Sequence, residues 1–238
     1  MQRLFPENCG VLLSLVKDLS NVIGEEAFTL VLFGSSVDKG CRKDSDIDLL
    51  LLVYDNVLNG RGESLLKGVS EVVKRYEAIG YRLSLNLLAL SDFIRKLVQG
   101  DSFAIRIVKS GYAVTGVNLF SSIRSFVERS PIPLDKEYLA KTIVSLVDDA
   151  SAILEASKRD LFVVCGHLKT AVGYLLTLMT GIDDPEKAID KADGKIGEIY
   201  LTLKDYCKRA LKGELPPAAL DEVLRRTRES VQTVEKLV

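Results

Sequence analysis

The chain has 238 residues, 47% of them hydrophobic and 27% charged. That is ordinary for a globular protein with a real core and too apolar for a long disordered stretch. Its 32 Lys+Arg and 33 Asp+Glu nearly cancel, which excludes a strongly basic nucleic-acid coat but not a local basic groove.

At roughly 100–200 residues per domain, the length predicts one large domain or two small ones. The N-terminal stretch is broken by polar residues at every turn. It reads as neither signal peptide nor membrane span, so a cytoplasmic protein with no membrane partner is expected. Cys9, Cys41, Cys165 and Cys207 are far apart, with one His in the chain. Structural zinc needs clustered ligands, so free cytosolic thiols are the simpler expectation.

Two textures divide the chain. Residues 11–22 carry an amphipathic helical stripe, Leu12, Leu15, Val16 and Leu19. Residues 27–33 (AFTLVLF) form a short apolar run ending at Gly34, which predicts a buried strand. Residues 47–53 (IDLLLLV) predict a second strand, covered on both faces. A helix over 63–78 precedes a third strand over 82–90 (RLSLNLLAL). Short helices over 91–98 and 102–109 and a brief strand over 112–115 follow.

Beyond Gly116 the pattern is helical throughout. Helices are expected over 119–128, stopping near Pro131 and Pro133, over 135–157, and over the strongly apolar 161–180, the centre of a bundle. One helix is expected from Pro185 to Leu211, bent near Gly194, and a last one from Pro216-Pro217 to near Val238. The predicted architecture is α/β (α+β): a small sheet domain over 1–118, then an all-α bundle over 119–238.

The stretch that carries chemistry runs from Leu32 to Leu49. A strand ends in Gly34-Ser35-Ser36, where small residues let backbone N–H groups approach an anion and serine hydroxyls can bond a phosphate. About ten residues later a strand carries Asp46 and Asp48. Side chains two apart on a strand share a face, so the two carboxylates repel until a hard divalent cation sits between them. A phosphate cradle beside a Mg²⁺ clamp is the equipment for phosphoryl or nucleotidyl transfer.

At these residues the chain resembles the DNA polymerase beta-like nucleotidyltransferase superfamily, whose hallmark is a Gly-Ser turn followed by Asp-x-Asp on the next strand. It is most similar to the minimal nucleotidyltransferases. Phe33-Gly34-Ser35 and Ser45-Asp46-Ile47-Asp48-Leu49-Leu50 carry the likeness. It extends more weakly to residue 116, and the helical half is similar to the HEPN or kanamycin-nucleotidyltransferase bundles.

The resemblance implies a mixed sheet flanked by helices and Mg²⁺-dependent binding of ATP or another nucleoside triphosphate. It also implies transfer of the nucleoside monophosphate, AMP from ATP, to an acceptor hydroxyl on a protein, a small molecule or an RNA end. Gly34, Ser35 and Ser36 would hold the triphosphate, and Asp46 and Asp48 the metal.

Three departures stand out. Where many small members carry Arg after Gly-Ser, this chain has Val37-Asp38-Lys39-Gly40; Lys39 would serve, without the guanidinium fork. The third family carboxylate is matched by Asn86, whose amide oxygen can coordinate a metal but cannot act as a general base. Arg159 and His167, the nearest approach to the HEPN ribonuclease pair, are eight apart, about 80° from sharing a helix face, so no ribonuclease is expected. The alternative implied by Asn86 is a catalytically weakened, antitoxin-like regulatory module that binds nucleotide and acts through a partner. The apolar helix over 161–180 would permit a homodimer through the bundle.

Overall fold

The computed structural model describes residues 6–235 apart from 44, 59, 131, 157–159 and 193. Pro131, Ser157, Arg159 and Val238, all invoked by the sequence reading, therefore lie outside the described residues. The chain forms two compact units, Met1–Val98 with Ala104–Ile132, and Gln99–Phe103 with Pro133–Val238.

The first unit is α/β. Its elements are α1 (Val11–Ile23), β1 (Phe28–Phe33), α2 (Ser36–Lys39), β2 (Asp46–Val53), α3 (Asp55–Leu58), α4 (Gly62–Ala78), β3 (Arg82–Ala89), α5 (Leu90–Val98), α6 (Ser102–Ser110), β4 (Tyr112–Ala113) and α7 (Val117–Arg129). The opening residues of α6 belong to the second unit, and α7 belongs to the first.

The strands form a mixed sheet of order β3-β2-β1-β4. β1 is antiparallel to β2 and β4, and β2 is parallel to β3. Antiparallel β1 and β2 are adjacent in the chain and in space, while the parallel β2–β3 pair needs the crossover that α4 supplies.

Alternation sorts β2 into two faces. Leu49, Leu51 and Val53 join Leu30 and Leu32 of β1 in one cluster with Leu12, Leu15, Leu19 and Ile23 of α1 and Leu65, Val69, Val72 and Tyr76 of α4. Each fully buried aliphatic side chain there is worth about 1.5–3 kcal/mol. Leu50 and Leu52 point to the other face and are equally buried; α5 lies against β2 and β3, and α7 against β1. The expectation of a strand covered on both faces holds from Leu49 to Val53.

Tyr76 is the polar link in the first cluster. Its hydroxyl donates to Asp18 Oδ2 at 3.0 Å. Burial, then the neighbouring Asp18 carboxylate, pushes the phenol up to about 12.

The second unit is helical: α8 (Lys136–Ala156), α9 (Leu161–Thr180), α10 (Pro185–Ala188), α11 (Gly194–Leu211) and α12 (Pro217–Glu235). The helix expected from Pro185 to Leu211 is broken, with a 3-10 turn over Ile189–Lys191 between α10 and α11. Asp184 caps α10 by accepting from the Glu186 amide at 3.1 Å, and Pro185 takes the first helical position. α9 is long and apolar enough to cross a membrane, with mean hydropathy 1.6. Ten of its residues are nevertheless buried within this unit. Asp101 is buried too, accepting from the hydroxyls of Tyr174 (3.0 Å) and Tyr138 (3.4 Å).

The expectation of free thiols is corrected. Cys9 is disulfide-bonded to Cys41 and Cys165 to Cys207, and no free cysteine remains among the described residues. Sequence separations of 32 and 42 residues concealed Cα–Cα distances of 4.8 and 5.4 Å. The N-terminal segment runs back across the loop after α2, and α9 packs against α11. Closing a loop of this size removes about 3–4 kcal/mol of unfolded-state entropy in the chain-entropy account.

A thiol reagent added in denaturant after purification in air is therefore expected to label none of the four cysteines, and all four once reductant is added. Labelling before reduction would contradict the pairing.

Candidate functional site

Gly34 follows the end of β1, and the chain reverses through Ser35 into the single turn of α2. Gly34 adopts φ +70°, and a Cβ built there would stand 2.5 Å from Asp48 Oδ2. Only glycine fits both the left-handed backbone and that close approach. Across the antiparallel ladder Phe33 pairs with Asp48, so the turn and the Asp48 carboxylate are fixed against each other by strand register.

The turn's own bonds are local. The Val37 amide donates to the Gly34 carbonyl (3.3 Å), and the Lys39 amide to the Ser35 carbonyl (3.0 Å). Ser36 is buried at 1% exposure, and its hydroxyl donates to the Asp46 carbonyl at 3.2 Å. The expected phosphate-binding hydroxyl of Ser36 is thus committed to tying the turn to β2. Gly34, Ser35 and Lys39 are exposed.

Beyond α2 the loop is held from behind. The Cys41 amide donates to the Glu7 carbonyl at 3.3 Å, Gly40 at φ +73° leaves no room for a Cβ beside that same oxygen, and the Cys9–Cys41 bond closes the clip. Lys43 is occupied elsewhere, donating to the Ile79 carbonyl (3.1 Å) and lying 5.0 Å from the Tyr81 ring centroid.

Asp46 and Asp48 share one face of β2 and are half-buried. The parallel register sets Arg82 beside Asp46, Ser84 beside Asp48 and Asn86 beside Leu50. Asn86 and Ser84 are exposed on the Asp46–Asp48 face, with Leu85 and Leu87 turned to the opposite, apolar one. Asn86 has the expected facing but stands one step further along the strand than a direct neighbour of Asp48. The residue that sequence reasoning missed is Arg82, whose Nε is 3.2 Å from Asp46 Oδ1. Its position at the start of the strand, ahead of Ser84 and Asn86 at spacing two, was the signal available.

Among the described residues no group of three His, Cys, Asp or Glu gathers in metal-binding range. Two carboxylates on one face fit a single hard cation, with remaining positions left to water or substrate oxygens. His167 lies on α9 with Nδ1 2.9 Å from the Val163 carbonyl.

No family model matches the chain, and no curated protein matches it. Among solved structures it is similar to a nucleotidyltransferase-like protein from Exiguobacterium sibiricum. The two are 12% identical over 94% of this chain and 78% of that one, with a TM-score of 0.34. A likeness of that depth carries no assignment, and the reading rests on the site's own residues: a Gly-Ser turn pressed against an Asp-x-Asp strand.

Replacing Gly34 with Ala is expected to cost about 1–3 kcal/mol, because the methyl group meets the Asp48 carboxylate. Adding Asp48→Ala should recover part of that loss by opening space. Chemical denaturation of the single and double variants checks this; equal stability of Gly34→Ala and the parent would contradict the close approach.

Proposed function

We propose that the first unit binds a nucleoside triphosphate, ATP in the first instance, between the Gly34-Ser35 turn and the Asp46–Asp48 face. In this reading it transfers the nucleoside monophosphate to an acceptor hydroxyl. The observation that carries the proposal is Gly34: its backbone lies so close to Asp48 that an anion received by the turn sits next to a carboxylate. That is unfavourable unless a cation lies between them.

The chain's own residues divide the work. Amides at the start of a one-turn helix have no intrahelical carbonyl to bond, so those around Ser35 can turn to phosphate oxygens. The exposed Ser35 hydroxyl can donate to the same oxygens. Lys39, exposed at the end of α2, adds a point charge. Asp46 and Asp48 would hold Mg²⁺. When bound, the metal supplies charge neutralisation and polarisation of the phosphate.

A second reading is favoured by one specific observation. Beside Asp48 and Leu50, β3 offers Ser84 and Asn86 and no carboxylate. Neither side chain is a general base at neutral pH. Binding without transfer, as in a regulatory module acting through a partner, follows from that feature.

Calorimetry tests the shared core of both readings. Mg²⁺-ATP is expected to bind the parent protein. Asp46→Asn with Asp48→Asn should abolish metal-dependent binding, while apo stability stays within about 1 kcal/mol, the scale of an exposed ion pair. Unchanged Mg²⁺-ATP binding by the double variant would sink the proposal. Label transferred from α-labelled, but not γ-labelled, ATP to any acceptor would separate transferase from binding module.

A further inference from the structure

Arg82 opens β3 directly beside Asp46, on the same face as Asp48. Its guanidinium pairs with Asp46 through Nε at 3.2 Å while its side chain remains 47% exposed. We propose that Arg82 bonds phosphate oxygens of the bound triphosphate directly, beside a single divalent cation held by Asp46 and Asp48. This rests on the nucleotide reading above and says how that site neutralises its substrate.

The set of ligands points this way. No third carboxylate, His or Cys joins Asp46 and Asp48 among the described residues, and two divalent cations would share two carboxylates. One divalent cation together with Arg82 supplies three positive charges, and Arg82 adds its share without needing a ligand set of its own. A guanidinium stays charged at any working pH and presents a planar fork that matches phosphate oxygens. Asp46 holds that fork from one side and so limits the side-chain entropy lost on binding.

The geometry also separates Arg82 from Lys39. Lys39 belongs to the turn, which carries its own hydrogen bonds. Arg82 belongs to the neighbouring strand and is tied to the carboxylate face.

The test counts metal. The protein is saturated with an ATP analogue whose α,β-bridging oxygen is replaced by CH₂, and Mn²⁺ is titrated in while free Mn²⁺ is read by electron paramagnetic resonance. One tightly bound Mn²⁺ per protein–analogue complex is expected. Arg82→Gln should weaken analogue binding about tenfold or more, the scale of lost charge-assisted hydrogen bonds. Arg82→Lys, which keeps the charge, should retain one Mn²⁺ and lose less affinity; it also stands in if the Gln variant folds poorly.

Two tightly bound Mn²⁺ in the parent complex would overturn the proposal. So would unchanged analogue affinity in a folded Arg82→Gln protein. Absence of any analogue binding by the parent at millimolar concentration would instead remove the nucleotide reading itself, and the Arg82 proposal with it.

Discussion

The close approach of the Gly34 backbone to the Asp48 carboxylate is the contact on which the rest of the first unit's site depends. A side chain at residue 34 would collide with Asp48 Oδ2, so β1 is followed by the one residue that lets the turn fold down onto β2. Ser36 then ties the turn to the Asp46 carbonyl, and the Phe33–Asp48 pair fixes the register. A slip of one residue would send Asp46 and Asp48 into the apolar face. The burial of Leu49, Leu51 and Val53 on that face is what makes such a slip costly.

The surroundings add stiffness where the site needs it. Loops between a turn and a strand are ordinarily the mobile parts of a fold. Here the loop from Gly40 to β2 is clipped to the N-terminal segment by a backbone hydrogen bond and the Cys9–Cys41 disulfide. Asp46 is steadied by Arg82 from the next strand. Both partners of that pair are about half exposed, so it contributes little to stability; its weight lies in where it places a positive charge.

Much of this was legible from residue patterns. The apolar runs at 27–33 and 47–53 and the stripe in 11–22 specify strands and a helix because burial enforces their periods. The stretch over 161–180 became α9 with the same limits, since ten of its residues are buried in the bundle core while Phe162, Val163 and Met179 face solvent. The Gly-Ser turn and Asp-x-Asp strand were readable because the two occur together and in order, after one strand and into the next, although either alone is common at the ends of strands. What stayed hidden was information about pairs distant in sequence. Cys9 meeting Cys41, Arg82 meeting Asp46 and Asn86 standing beside Leu50 all depend on which segments become neighbours. Ser36 was read by residue type as a phosphate ligand, and only its burial reveals the bond to Asp46. The break between α10 and α11 was read only as a bend near Gly194, where α11 begins, because Ile189–Lys191 itself carries no proline or glycine to mark a turn.

The most direct test of the account is a nuclear magnetic resonance titration of the ¹⁵N-labelled full chain with Mg²⁺-ATP. The account predicts that the largest amide shifts gather at Gly34, Ser35, Asp46–Asp48 and Arg82, and that they collapse when Asp46 and Asp48 are both replaced by Asn. Shifts concentrated on the helices of the second unit, or none at saturating nucleotide, would contradict it.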